Sequence, residues 1–246
     1  VTQQYRRRTR RTRLTPLTTL IVVAAVAGAL LYTASQQTDA APDAAPTTQA
    51  APAATGVPAA TGSWADSAAV LATLPIKGRA PKTGYDREGQ FGTAWVDVDR
   101  NGCDTRNDVL ARDLTATTLS GPCRVLTGSL LDPYTGTTIA FVRGNDTSSL
   151  VQIDHVVALL NAWESGAQQL SPERRVELAN DPLNLLAVDG PTNSSKGAGD
   201  AATWLPPDTA FRCEYVARQI AVKAAYALWV TQAEHDAMTR VLGGCS

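Results

Sequence analysis

Residues 36–62 set the first limit on what this chain can fold into. They are almost entirely Ala, Pro, Thr, Gln and Gly. A stretch so poor in large apolar side chains cannot repay the entropy of ordering, so an extended flexible tether is expected. Such a tether suits a domain held away from a membrane or cell wall, and a disordered leader left after cleavage fits equally. Folding is thereby confined to residues 63–246, enough chain for one sizeable core. No internal repeat is visible.

Ahead of the tether, residues 1–13 carry six arginines (Arg6, Arg7, Arg8, Arg10, Arg11, Arg13) and no acid. An apolar stretch follows from Leu14 to Tyr32, densest from Leu20 onward. A basic flank before an apolar run is the layout of an export signal, with the arginines left on the cytoplasmic side. The dense part has the length of a signal-peptide core, whereas counting from Leu14 gives a segment able to span a bilayer. Residues 1–35 are therefore expected to be a cleaved signal or a retained membrane anchor, the protein being secreted or held on the outer face of the cytoplasmic membrane.

Charge is divided in the same way. Setting the six arginines aside leaves 16 of the 22 basic groups against 23 acidic ones, about −7 for the rest of the chain. An acidic body argues against tight, sequence-independent binding of nucleic acid by phosphate neutralisation. It leaves room for local, metal-mediated contacts.

Four cysteines, Cys103, Cys123, Cys213 and Cys245, contain no Cys-x-x-Cys pair, so a structural zinc site of common spacing is not expected. An even number in an exported chain reads as disulfides. Three pairings are possible. Local closure, Cys103 with Cys123 and Cys213 with Cys245, is the expected one, each bridge being worth about 3 kcal/mol in the chain-entropy picture.

Along the body, Ser63–Leu74 has the apolar spacing of a short amphipathic helix, and Phe91–Val98 looks like a strand. Asp97-Val98-Asp99-Arg100-Asn101-Gly102-Cys103-Asp104 superficially suggests a calcium loop, but is read as lacking the later glycine and terminal glutamate of an EF-hand. Thr105–Leu114 is a helix candidate with Thr105 as its cap and Val109, Leu110 and Leu114 on one face. Arg106, beside that cap, could reach a phosphate or lie on a solvated face. Cys123–Leu131, Thr138–Arg143 and Leu150–Val157 read as strands, with Asp132-Pro133-Tyr134-Thr135-Gly136 as a turn. Helices are expected over Leu159–Glu164, ending at Gly166, and from Ser171-Pro172-Glu173 to about Ala179. Thr209–Leu242 has helical spacing as one long element or two, its aromatics reading as core.

The chemistry gathers at two places. Val151-Gln152-Ile153-Asp154-His155-Val156-Val157 is a β-branched run ending in an acid and an imidazole. About thirty residues later, Asn184-Leu185-Leu186-Ala187-Val188 is a second apolar strand, leading through Asp189-Gly190-Pro191 to Asn193 and Lys196. An imidazole titrates near neutrality, so His155 can take a proton from water. Asp154 and the Asn193 amide offer two hard oxygens, which with phosphate and water suit Mg²⁺, or Mn²⁺ in its place. Lys196 would offset phosphate charge. A buried histidine satisfied by its neighbouring carboxylate is the bland alternative. His235, between Glu234 and Asp236, is read as surface, and Asp200, Trp204 and Pro206-Pro207 as packing for the loop after the site.

The run Asp154-His155, Asn184, Asn193, Lys196 resembles the HNH (His-Me finger, ββα-metal) endonucleases. Cys103–Leu110, Val151–Val157 and Ala179–Leu186 are more closely similar to an exported actinobacterial-type family. That family's nuclease domain is related to the C-terminal domain of GmrSD restriction enzymes. The resemblance covers about residues 80–245. It implies an α+β fold with a ββα-metal core, flanking helices and short antiparallel strands. It implies His155 as general base, Asp154 and Asn193 as metal ligands, and Asn184 as a brace for the loop between the second strand and the helix. That helix would begin near Asn193. The third letter of the HNH pattern is Asn here, a neutral and weaker ligand than His. The expected activity is exported, metal-dependent hydrolysis of phosphodiester bonds in nucleic acid, DNA before RNA. The competing readings are another metal-dependent phosphoesterase and a non-catalytic module tethered at the cell surface. No Gly-x-Ser-x-Gly supports a serine hydrolase.

Overall fold

The computed structural model describes residues 63–144 and 147–246. The export segment and the tether lie outside the described residues. Among the described residues no helix is long and apolar enough to cross a membrane.

The centre is an antiparallel pair, β4 (Val151–His155) and β5 (Leu185–Asp189), with Ile153 opposite Ala187 and His155 opposite Leu185. Side chains alternate across a strand, and here both faces are covered. Val151, Ile153, Leu185 and Ala187 pack with Val109 and Leu110 of α3 (Thr105–Asp113) and with Leu114 just after it. Val125, Leu130 and Phe141 join them from a three-stranded antiparallel sheet, β1 (Thr115–Ser120), β2 (Arg124–Leu131) and β3 (Thr138–Val142). Leu186 and Val188 face the other way, into Tyr215, Val216 and Ile220 of α7 (Arg212–Ala225) and Met238 of α8 (Gln232–Leu242). Helix α1 (Trp64–Leu71), closed by a capping box between Ser63 and Asp66, adds Leu71 to that second core. A third cluster gathers Phe91 of α2 (Arg87–Phe91), Trp163 of α4 (Leu159–Glu164) and Leu178 of α5 (Pro172–Asn180).

The result is a mixed helix and antiparallel-strand fold with two disulfides, as expected. Cys103 is bonded to Cys123 and Cys213 to Cys245, with Cα atoms 5.3 and 6.0 Å apart. The C-terminal stretch is two helices, α8 starting afresh on the capping box of Thr231 and Glu234.

Three local expectations are corrected. Phe91–Val98 is not a strand. Asp86 caps a helical turn by accepting from the amides of Glu88 and Gly89, and left-handed Gly92 (φ 78°) and Trp95 (φ 66°) keep the chain beyond Phe91 from extending. The cap of α3 is Asp104, which accepts from the Asn107 amide at 2.9 Å; the Thr105 hydroxyl instead donates to the Val96 carbonyl. The helix after β5 is α6 (Gly190–Lys196), three residues earlier than expected, because the Asp189 carboxylate accepts from the Thr192 amide at 2.8 Å.

Strand β1 had no counterpart in the reading of the sequence. Its Thr-rich run packs close over the end of α3: a Cβ at Gly128 of β2 would lie 2.8 Å from the Leu114 side chain and 3.1 Å from Thr117. In the calcium-like segment the Asn101 amide donates to Asp99 at 3.1 Å and Asp108 at 3.2 Å. Counting from Asp97, Gly102 is sixth and Asp108 twelfth, so the segment does have the loop glycine and a closing carboxylate, though an aspartate in place of glutamate. Among the described residues no three His, Cys, Asp or Glu side chains are placed to share an ion.

Candidate active site

Consecutive residues on β4 send their side chains to opposite faces, and the two chemical groups use that. Asp154 turns toward the α7–α8 core. Its Oδ1 accepts from Lys196 Nζ of α6 at 3.0 Å, and its Oδ2 accepts from the Tyr134 hydroxyl. Tyr134 is fully buried against Trp204, Tyr215 and Phe211, with ring centroids 5.1 to 6.2 Å away. Burial first, then the Asp154 charge, pushes its pKa well above that of an ordinary phenol, so it stays a donor.

His155 turns the other way. Its Nε2 lies 2.8 Å from the Ala179 carbonyl at the end of α5, and its ring stacks on Trp95 at 6.2 Å between centroids. A carbonyl can only accept, so Nε2 carries the hydrogen and Nδ1 keeps a free lone pair. Burial lowers the pKa to about 3; the Arg87 and Lys196 charges add to this, and the Ala179 hydrogen bond opposes it. The imidazole is therefore neutral throughout the physiological range, not poised near neutrality as its type alone suggests.

Asp154, His155 and Asn193 all line one open cavity of about 390 Å³, together with Gln152, Tyr85 and Arg87. Asn193 Nδ2 donates to Gln152 Oε1 at 2.9 Å, and its Oδ1 has no hydrogen-bond partner among the described residues. A smaller cavity of about 40 Å³, lined by Arg87, Phe91, Trp95, Ala179 and Asn180, lies against His155 as well.

The remaining sequence candidates sit elsewhere. Lys196 is not on the cavity wall: its side chain is wholly buried, with Nζ on Asp154 and on the His155 carbonyl at 2.8 Å. Its charge is spent holding β4 to α6 rather than awaiting phosphate. Arg106 donates to the Val151 carbonyl at 3.3 Å and lines neither cavity. Val151 is four residues from His155, about 13 Å along a strand. Asn184 is fully buried. Its Oδ1 accepts from the Val157 amide at 2.8 Å and its Nδ2 donates to the Val157 and Leu178 carbonyls. The loop it braces is the one leaving β4, not the one between β5 and α6. Cys103, Cys123, Cys213 and Cys245 are consumed as disulfides.

Tyr134 and Trp95, which contact Asp154 and His155, and Arg87, which lines the cavity, are not singled out by the sequence. Tyr134 sits inside what reads only as a turn. The turn's Asp132 reaches 57 residues along the chain to accept from the Asp189 amide at 2.9 Å, and nothing local announces that.

Asp154, whose two oxygens already accept from Lys196 and Tyr134, and Asn193, whose Oδ1 is unpartnered among the described residues, both line the cavity. Carboxylate and amide oxygens are donors of the type a hard divalent cation takes when phosphate and water complete its shell. The residues fit such an ion.

Comparison with known proteins gives this mixed α+β domain its kin. Residues 104–241 match the family of GmrSD restriction endonucleases, C-terminal domain, and the chain belongs to that family. It is also 37% identical over 185 residues to an "uncharacterized secreted protein" of Arthroderma benhamiae, covering 74% of this chain and 86% of that one. No solved structure matches the chain. A relative named as secreted and two disulfides are consistent with export.

Proposed function

We propose that residues 63–246 are an exported, metal-dependent HNH-type endonuclease hydrolysing phosphodiester bonds in nucleic acid, DNA foremost. β4, β5 and α6 are its ββα-metal core. The observation that carries this reading is the orientation of His155. Its Nε2 hydrogen is held by Ala179, which leaves the Nδ1 lone pair for the cavity that His155 lines. That nitrogen takes a proton from a water as the water oxygen bonds to phosphorus. The bond from phosphorus to the departing sugar oxygen breaks with its electron pair on that oxygen, which takes a proton from solvent.

Asp154 and Asn193 would hold the cation, Mg²⁺ or Mn²⁺. When bound it offsets charge on the phosphate and the departing oxygen. Lys196 aims one oxygen of Asp154, Tyr134 fixes the other, and Asn184 fixes the strand exit that presents His155. Export is supported by the basic and apolar leader of residues 1–35, a signal or an anchor, and by the name of the fungal relative.

The test is plasmid and linear DNA incubated with the oxidised protein in Mg²⁺ or Mn²⁺ and in chelator, beside His155→Ala. Metal-dependent cleavage that falls by about 10³-fold in the variant is expected. Cleavage surviving near the wild-type rate in a folded His155→Ala protein would end the assignment.

One observation favours a second reading. Both Asp154 oxygens already carry a protein partner, one of them a cation. A non-catalytic surface module would keep that pairing undisturbed and bind no divalent ion, which calorimetry with Mg²⁺ and Mn²⁺ decides. A phosphoesterase acting on small diesters would hydrolyse bis(4-nitrophenyl) phosphate and leave DNA intact.

A further inference from the structure

Both cations that the sequence singled out for phosphate are already committed inside the protein. Lys196 is on Asp154, and Arg106 is on the Val151 carbonyl. Arg112 is on Asp113 and the Leu185 carbonyl, and Arg143 on the Val125 carbonyl and Asn107. A site for a phosphodiester without a free cation would leave the non-bridging oxygens to the metal and water alone. One cation does face the site. Arg87 lines the cavity shared by Asp154, His155 and Asn193, and also the smaller one against His155. No other Lys or Arg lines either of the two. Among the described residues Arg87 has no hydrogen bond and no ion pair, and it is exposed.

Its backbone, by contrast, is firmly seated. Asp86 caps α2. Phe91, at the far end, is buried with ring centroids 6.3 Å from both Tyr85 and Trp163. Arg175 of α5 reaches across to donate to the Gln90 carbonyl at 2.8 Å and to the Leu170 carbonyl at 2.5 Å. A pinned helical turn thus presents an unpaired guanidinium over the cavity mouth. A planar fork of N–H donors matches the geometry of phosphate oxygens. This turn lies outside residues 104–241, so the family match does not contain it.

We propose that Arg87 contacts the scissile phosphate, and that the segment from Tyr85 to Trp95, outside the family match, completes the site by supplying this residue. The proposal rests on the nuclease reading for its substrate. It makes its own claim about phosphate binding, which can be read without turnover.

The full chain, oxidised, is compared with Arg87→Ala and Arg87→Lys. Cleavage of linear duplex DNA and of bis(4-nitrophenyl) phosphate is followed at saturating Mg²⁺, and binding of inorganic phosphate by calorimetry. Arg87→Ala is expected to lower kcat about 100-fold, as removal of one preorganised donor does. Its affinity for inorganic phosphate should drop about tenfold, and Arg87→Lys should restore part of both. The melting temperature should not move, because no protein group loses a partner. A kcat within twofold of wild type, or unchanged phosphate affinity in Arg87→Ala, overturns the assignment. If the wild type cleaves nothing, the nuclease reading fails, and the calorimetric comparison still decides whether Arg87 is the phosphate contact.

Discussion

The two antiparallel sheets are built from similar residues and held in different ways. β4 and β5 are buried almost throughout, whereas β1 is exposed at five of its six positions. The buried pair has a core on each face. It can therefore hold Asp154 and His155 on opposite sides, each with fixed partners. β1 is an edge strand with an irregular register against β2, and its polar contacts are surface ones such as the Thr118 and Thr127 hydroxyls 2.6 Å apart. The candidate site residues Asp154 and His155 lie on the strand whose side chains are buried. The outer sheet contributes chiefly one covering face, Val125, Leu130 and Phe141.

If that contrast is right, the largest stability effect comes from breaking the polar contacts behind β4. Lys196→Met leaves the Asp154 carboxylate buried without its cation, and removal of one partner of a buried pair costs about 3–5 kcal/mol. Urea unfolding of the oxidised protein measures this. A loss below about 1 kcal/mol would place the Lys196–Asp154 pair in the class of exposed ones, and the distinction between the sheets would lose its physical basis.

A smaller effect comes from His155. Its imidazole has a pKa of about 3 in the folded protein against an ordinary 6.5, so the unfolded chain binds a proton that the native state does not. Stability from this residue is intact above pH 6.5 and is lost progressively as pH falls toward 3. Between pH 7 and pH 5 the loss is about 2 kcal/mol, at roughly 1.4 kcal/mol per unit below the unfolded value. The difference in unfolding free energy between the two pH values, wild type against His155→Gln, isolates it. A variant that loses as much stability on acidification as the wild type would show that the ring is protonated in the native state.

These magnitudes also explain what could be read from the sequence. That Asp154, His155 and Asn193 would meet at one cavity was legible because strand alternation and motif order are local, and both disulfides followed from loop closure. Capping was legible too: Ser171-Pro172 opens α5 with the serine hydroxyl on the Arg174 amide. What stayed hidden depends on distance along the chain. Tyr134 meets Asp154 from 20 residues away, and Lys196 meets it from 42. Residue type alone made Lys196 and Arg106 look like phosphate ligands, and only packing shows that both are committed. The segment after Phe91 failed for another reason. Its β-branched and aromatic composition says strand, but positive φ at Gly92 and Trp95 turns the chain, placing Trp95 over His155.

The smallest expected effect tests the outer sheet itself. Thr118→Val keeps the β-branched shape and removes only the hydroxyl that pairs with Thr127, at an exposed position of an edge strand. Cross-strand pairs of this kind contribute a few tenths of a kcal/mol, and solvent replaces the lost hydrogen bond for the Thr127 hydroxyl, so the change should lie within about 0.5 kcal/mol. DNA cleavage should be unchanged, because the hydroxyl pair touches neither cavity wall. Urea unfolding and the plasmid assay on the same preparation give both numbers. A loss above about 2 kcal/mol would mean that β1 fixes the face on which α3 and β4 pack, and the two sheets would then be one mechanical unit rather than a rigid site beside a tolerant cover.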